Sequence, residues 1–304
     1  MGSEIDSPAG LFVGLCVLDI IQLVDHVPQP NEKSTALRQT VAAGGPATNA
    51  AVAFSHLGGS ATLITGVGDH PLSAGIKADL RDTKVRLVDL AKDHGDPPTV
   101  STVMVTARSG ERAVVSKNAG GYDLDPPGNL ADLVARSAVV HIDGHHPLLA
   151  EAAVVAARRL SRPILLDGGS WKPGTQALLP YVDVAVCSSN FHPPGTSAPE
   201  EVLSFLRNAG VSWAAVTRGE EEILWQGPEG RPRTVPVPQV ESTDTLGAGD
   251  IFHGALAFEL ARGQGLDSSG FSQALQRAAS VAAMACRSFG TRSWMVEGRV
   301  DSRL

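Results

Sequence analysis

Residues 241–254 read Glu-Ser-Thr-Asp-Thr-Leu-Gly-Ala-Gly-Asp-Ile-Phe-His-Gly, and the rest of the chain is organised around this stretch. A β-forming run, Thr234 to Val237, leads up to it. The segment that follows, Ile251 to Leu260, is rich in Ala, Leu and Phe and suits a buried helix. Between them, Gly247, Ala248 and Gly249 carry almost no side chain. Backbone N–H groups can therefore converge on one spot, where a helix N-terminus adds roughly half a positive charge. The stretch predicts an anion hole with Asp250 at its mouth. That acid has two readings. It is either a plain helix cap, or a general base that takes a proton from a hydroxyl while the hole holds a transferring phosphoryl group.

Length and composition narrow the alternatives. A chain of 304 residues fits one large α/β domain or two small ones. Its net charge of −7 and lack of a basic stripe argue against a nucleic-acid surface. Cys16, Cys187 and Cys286 are too scattered for a disulfide framework or a metal cluster. No apolar run approaches the roughly 18 residues of a membrane span, and no secretion signal opens the chain. The expectation is a soluble cytoplasmic protein that binds neither membrane nor nucleic acid.

Taken in order, residues 11–15 predict a buried first strand, and 17–21 carry one acid, Asp19, among apolar residues. Asp19 is either a turn former or a strand-end carboxylate placed for a ligand. Residues 33–41 alternate like a strand. Gly44 and Gly45 then run into an Ala-rich helix stopped at Gly58-Gly59, with Asn49 near its start. Asn49 alone reads as a surface amide. The pair 100–106 and 112–116 flanks a glycine-containing turn and predicts a hairpin. From residue 130 onward, uniformly apolar strands near 138–144, 163–168, 183–187 and 213–217 alternate with helices, which means a parallel sheet covered on both faces. Asp143, Asp167, Thr217 and Gly219 fall at carboxyl ends of those strands, the edge where such sheets bind ligands. The last helix spans roughly 270–287. The pattern G-x-G-x-x-G is absent, which argues against a dinucleotide oxidoreductase.

Two separated motifs together resemble the ribokinase-like carbohydrate kinases, the PfkB family. The first is Gly44-Gly45-Pro46-Ala47-Thr48-Asn49-Ala50-Ala51, followed by Gly58 and Gly68. The second is Asp244-Thr245-Leu246-Gly247-Ala248-Gly249-Asp250 with Gly254-Ala255. The resemblance covers nearly the whole chain. It implies an ATP-dependent kinase for a sugar hydroxyl, on a three-layer α/β fold with a mostly parallel central sheet and a small β-sheet lid. A single domain over 1–304 would carry lid segments 16–42 and 98–118, and lids of such proteins can pair in a homodimer. By the same resemblance Asp250 is the base, and the amides of Gly247, Ala248 and Gly249 form the anion hole. Asp19, Gly45 and Asn49 hold sugar hydroxyls. Thr217 and Gly219 mark the nucleotide side, and Ala282, Cys286 and Gly290 border the adenine. Asp244 stands where potassium-activated members bind the ion.

Some positions depart from the family pattern. The usual Asn-x-x-Glu that orders Mg2+ and phosphates is missing after the strand near 187, where the chain reads Cys187-Ser188-Ser189-Asn190-Phe191-His192-Pro193. Pro46 replaces the Lys of ribokinase-type motifs. In character the chain is similar to ketohexokinase- and sulfofructose-kinase-like members, which implies substrate-facing roles for Arg112 and Asp143 and a ketose or related sugar. Ribose or nucleoside phosphorylation, and a catalytically silent sugar-binding member, are the alternatives.

Overall fold

Strands that are apolar on both sides must be covered on both sides, and the chain does this with two helical layers around one sheet. The computed structural model describes residues 7–119, 124–263 and 266–297. Residues 1–6 and 298–304, the ends of the expected 1–304 unit, lie outside the described residues. The first part supplies β1 (Ala9–Val13), β2 (Val17–Val24), β3 (Arg38–Gly44), α1 (Pro46–His56), β4 (Ser60–Thr65), α2 (Ser73–Asp82), β5 (Arg86–Asp89), β6 (Val100–Thr106) and β7 (Arg112–Ser116). There follow α3 (Leu130–Ala135), β8 (Val139–Ile142), α4 (Pro147–Arg159), β9 (Ile164–Gly168), α5 (Thr175–Leu178), β10 (Val184–Ser188) and α6 (Pro199–Asn208). The chain then completes β11 (Trp213–Arg218), β12 (Glu221–Gln226), β13 (Arg233–Val235), α7 (Ala248–Ala261), α8 (Ser268–Ala285) and α9 (Trp294–Glu297).

Nine strands form the main sheet in the order β13-β12-β11-β10-β9-β8-β1-β4-β5. From β11 to β5 every neighbouring pair is parallel. The chain steps outward from β1 through β4 to β5 and then returns to β8 on β1's other side. The strand order therefore reverses between β1 and β8, and at such a switch point a crevice opens at the carboxyl ends of the strands.

The far edge corrects the simple alternation. β12 runs antiparallel to β11, and β13 antiparallel to β12. Glu221–Gln226 escaped notice because it opens with two glutamates, and edge strands tolerate charge. The run 234–237 contributes only its first residues to β13, and the chain from 236 to the start of α7 is irregular.

β2, β3, β6 and β7 stand apart in a second sheet, ordered β3-β2-β6-β7. The hairpin of β6 and β7 falls where it was predicted, whereas β3 begins at Arg38 rather than 33 and runs on to Gly44. The inner face of this sheet buries Ile21, Val103 and Val105 against Leu246 of the second motif and Phe289 beyond α8.

On one side of the main sheet α1, α2, α7 and α8 cover Phe12, Leu63, Val139 and Leu165. On the other, α3, α4 and α6 cover Leu11, Val140, Ile164 and Ala185. α7 is apolar nearly all round and lies against α1, α8 and the ends of β1, β8 and β9. At Gly254 it comes so close to α1 that a Cβ would sit 2.3 Å from the Ala50 carbonyl oxygen. Among the described residues no helix is long and apolar enough to cross a membrane.

Candidate active site

α1 and α7 both begin at the carboxyl edge of the sheet, and both begin on glycine. Gly45 caps α1 with φ +98, and a Cβ there would strike the Leu15 carbonyl at 2.5 Å. Pro46 takes the first turn, where its missing N–H costs nothing. Gly247 caps α7 in the left-handed region, φ +73, with no side chain over the helix start. The first-turn amides of α7 therefore face outward. Ala248 is the exception, since its N–H reaches the Thr245 carbonyl at 3.3 Å.

Because the two helices touch at Ala50 and Gly254, Asn49 and Asp250 lie opposite each other. The Asn49 Nδ2 donates to Asp250 Oδ2 at 2.9 Å. Asp250 is half-buried, reachable from solvent yet walled in on its other sides. That burial pushes its carboxyl up to about 7, and the negative charge of Asp167 adds to the effect. The Asn49 hydrogen bond and His253 oppose it. Asp19 is neither a turn residue nor a strand-end carboxylate of the main sheet. It lies inside β2, buried, and its carboxylate packs so tightly on Gly44 that a Cβ there would lie 1.9 Å away. Burial raises Asp19 to about 6 against the Ser101 hydrogen bond and the Arg292 charge.

Asp143 is turned inward rather than toward the crevice. It is 1 % exposed, and its oxygens accept from the backbone N–H groups of Leu15 at 2.8 Å, Ala47 at 3.1 Å and His145 at 3.0 Å. Burial alone would raise its pKa. The charge of His145, the backbone N–H groups of His145 and Leu15, and Lys172 outweigh it and hold the group below the ordinary carboxylate range. Asp143 thus caps α1 from a neighbouring strand. Arg112, exposed on β7, donates from Nη1 to Thr245 Oγ1 at 2.8 Å and joins the small sheet to the second motif.

Asp244 does more than end a strand and meet solvent. It is buried, and it accepts from the N–H of Leu246 at 2.9 Å and of Gly290 at 2.9 Å. The Cys286 carbonyl in turn accepts from Thr243 and Asp244. These bonds tie the end of α8, with Ala282, Cys286 and Gly290, to the approach of α7. Thr217 and Gly219 stand at the end of β11, three strands from β8, and Thr217 Oγ1 reaches the Cys187 carbonyl at 3.4 Å. After β10, Asn190 and His192 are exposed, and Pro193 stands where a carboxylate would be needed. Among the described residues no group of three His, Cys, Asp or Glu is placed for a metal ion. The stretch after β10 thus departs from the Asn-x-x-Glu pattern, with Pro193 three residues after Asn190.

Two site residues escaped the sequence reading. Arg292, just after the last motif residues, donates to Asn49 Oδ1 at 3.0 Å, to Asp79 Oδ2 at 3.0 Å and to the Ala43 carbonyl at 2.6 Å. By occupying Oδ1 it leaves the Asn49 amide only one way to face, with its NH2 toward Asp250. His253, one turn after Asp250, is buried behind it with Asp167 beside it. The only sequence signal was that both fall next to recognised motifs.

The raised Asp250 pKa makes folding stability depend on pH. A carboxyl that ionises near 7 when folded and near 4 when unfolded holds its proton more tightly in the folded state. Its contribution is fully present below pH 4 and is lost as the pH rises through 7. Asp250→Asn removes that loss while keeping an acceptor for Asn49. We expect urea unfolding at pH 8 to show the variant more stable than wild type by roughly 2–4 kcal/mol, with little difference at pH 4. Equal stabilities at both pH values would contradict the burial argument.

The likeness to known proteins agrees with this geometry. The pattern of the pfkB family carbohydrate kinases matches residues 11–297. The chain is 24% identical to the ribokinase of Bacillus subtilis, covering 93% of this chain and 94% of that one. It is 25% identical to mouse (Mus musculus) ketohexokinase over 85% of this chain and 91% of that one. It superposes on the Arabidopsis thaliana ribokinase complexed with ribose and ATP with a TM-score of 0.73, at 18% identity, covering 97% and 99% of the two chains. A likeness at that identity speaks for the fold. With the family pattern spanning nearly the whole sequence, the chain belongs to the pfkB family of carbohydrate kinases and is an ATP-dependent sugar kinase on a ribokinase-like fold.

Proposed function

We propose that this protein transfers the γ-phosphoryl group of ATP to a hydroxyl of a ketose or related sugar, with Asp250 as the base. The observation that carries the reading is Asp250 itself. It is fixed by Asn49 at an uncapped helix start and has a pKa of about 7, the range that suits a base at neutral pH. Asp19 and Asn49 hold the sugar against the Gly44–Gly45 turn. The hydroxyl oxygen attacks the γ-phosphorus, its proton passes to Asp250, and the bond to ADP breaks. Amides at the α7 start face the charge that develops on the phosphoryl oxygens. Asp143 supports the turn from below rather than touching the sugar. Thr217 and Gly219, with the end of α8, bound the nucleotide. Mg2+ held by the phosphates of ATP would neutralise part of their charge.

The small sheet closes over the sugar and excludes water, and Arg112 on Thr245 is the contact that supports this role. The ketose preference rests on Pro46, where ribokinase-type motifs carry Lys. ATP supply makes the cytoplasm the natural place for the reaction.

The test is a coupled ADP-release assay across ketoses, ribose and nucleosides. A ketose is expected to give the highest kcat/KM. Release with ribose or a nucleoside alone would replace the substrate, and none with any would leave a silent binder. With the preferred sugar, kcat/KM should climb through pH 7 to a plateau. Asp250→Asn should lower kcat by roughly 10²- to 10⁴-fold while sugar binding persists. Turnover within threefold of wild type would reduce Asp250 to a helix cap.

The reading includes potassium at Asp244, with carbonyls of the 246 and 290 segments as further oxygen ligands. Such an ion would steady the loop that leads into α7. At fixed ionic strength, potassium in place of a bulky organic cation should raise turnover several-fold in the wild type but not in Asp244→Ala. Equal rates in both salts would leave Asp244 as a loop tie alone.

It also includes a homodimer joined through the lids. The outer face of the small sheet presents Val41 and Val115, 50% and 72% exposed, in one cross-strand row with Ile20 and Thr102. Light scattering at micromolar concentration should give twice the chain mass, and a monomer there would remove this element.

A further inference from the structure

His253 lies one helical turn beyond Asp250 and is 5% exposed. Its ring bridges two backbone carbonyls: Nδ1 lies 2.7 Å from the Gly249 oxygen, and Nε2 lies 3.1 Å from the Val186 oxygen. A carbonyl can only accept a hydrogen bond. A neutral imidazole offers one donor and one lone pair, so in this seat it would press a lone pair against a carbonyl with little water to intervene. Only the doubly protonated ring satisfies both ends. A countercharge is at hand, since Asp167 Oδ2 sits 3.4 Å from Nδ1.

From these contacts we propose that His253 is held as an imidazolium and serves as a fixed positive charge behind Asp250, a positioning residue for the base. The inference rests on the kinase reading for its purpose but not for its chemistry.

The surrounding groups leave the charge on this ring. From β8, His141 packs edge-on with ring centroids 5.8 Å apart, and its other neighbour is Phe12. Both His141 nitrogens lack a hydrogen-bond partner among the described residues, and burial drives its pKa down to about 4. It stays neutral, which spares His253 a like charge. From β10, burial raises the Cys187 thiol well above its usual range, so it too is neutral. From β9 comes Asp167, from α7 Asp250, and Asp143 lies beyond His141 at the end of β8. The charged side chains shown to interact with His253, Asp167 and Asp250, are both acids, and the cation Lys172 lies farther out, acting on Cys187 and Asp143.

Two effects on the base follow. The Gly249 carbonyl and the Asp250 N–H belong to one rigid peptide unit. Pinning the carbonyl inward aims the N–H outward, into the anion hole. The cation also offsets the field of Asp167, which otherwise resists ionisation of Asp250.

The protonation state can be read without any assay of turnover. In wild-type protein labelled with 15N-histidine, long-range 1H–15N correlation spectra at pH 7.5 should show protons on both His253 ring nitrogens. The signals are assigned by their loss in His253→Gln. If that variant does not fold, Asp167→Asn assigns them by shifting the Nδ1 resonance of the ring that Asp167 touches. A His253 ring with one bare nitrogen at pH 7.5 would overturn the proposal. On the kinase reading, His253→Gln should move the acidic limb of kcat/KM upward by about one pH unit and lower kcat roughly tenfold, with the sugar KM changed less than threefold. An unmoved pH profile would overturn the electrostatic role even if kcat fell. Absence of turnover in the wild type would count against the kinase reading and leave the spectra to decide the protonation state.

Discussion

Gly254 has no room for a side chain. A Cβ would meet the Ala50 carbonyl oxygen at 2.3 Å and the Ala53 Cβ at 2.7 Å. This contact lets α1 and α7 pack backbone to backbone, and their N-terminal turns open side by side at the switch point of the sheet. Asn49 precedes Ala50 by one residue and Asp250 precedes Gly254 by one turn, so the 2.9 Å bond between them is a consequence of the helix contact. A bulkier residue at 254 would part the helices and open that bond, without touching a polar group.

The electrostatics are layered on this packing. Asp19 and Asp250 are both raised by burial, and each has a cation held nearby by other parts of the chain. Arg292 stands over Asp19 and Asn49, while His253 lies beneath Asp250. Asp143 and Asp244, also buried, are instead stabilised by backbone N–H groups. The two pairs of acids thus differ in a physical sense. Those facing amides tie loops together, and those facing cations across a gap, Asp19 and Asp250, remain able to exchange a proton.

Much of this could be read from the sequence. The order of strands and helices follows from uniformly apolar runs and glycine stops, and the second sheet from alternation that broke the pattern. β12 was missed because its glutamates hid an edge strand. Gly45, Asn49, Gly247 and Asp250 stood out because small residues before a helix have a backbone reason to be there. The direction of Asp143 could not be read. A strand-end carboxylate looks the same in sequence whether it meets a ligand or caps the next helix. Arg292 and Asp79 are 213 residues apart, and neither sits in a pattern that announces the other. His253 looked like one more member of an apolar helix, because what matters is its two carbonyl partners, which depend on tertiary packing.

Arg292 also has a meaning in the order of synthesis. It reaches back to β3, α1 and α2, the last of which ends 210 residues before it (292 minus 82), so all three are synthesised well ahead of it. Until it arrives, the Asn49 amide can turn either way, and Asp79 and the Ala43 carbonyl lack their cation. α7 and its base are complete 31 residues earlier in the chain (292 minus 261). The nascent protein can therefore assemble both helical layers before its site is aligned. The segment that carries Arg292 acts as a latch, and a chain without it would fold around a crevice whose key amide has no fixed direction.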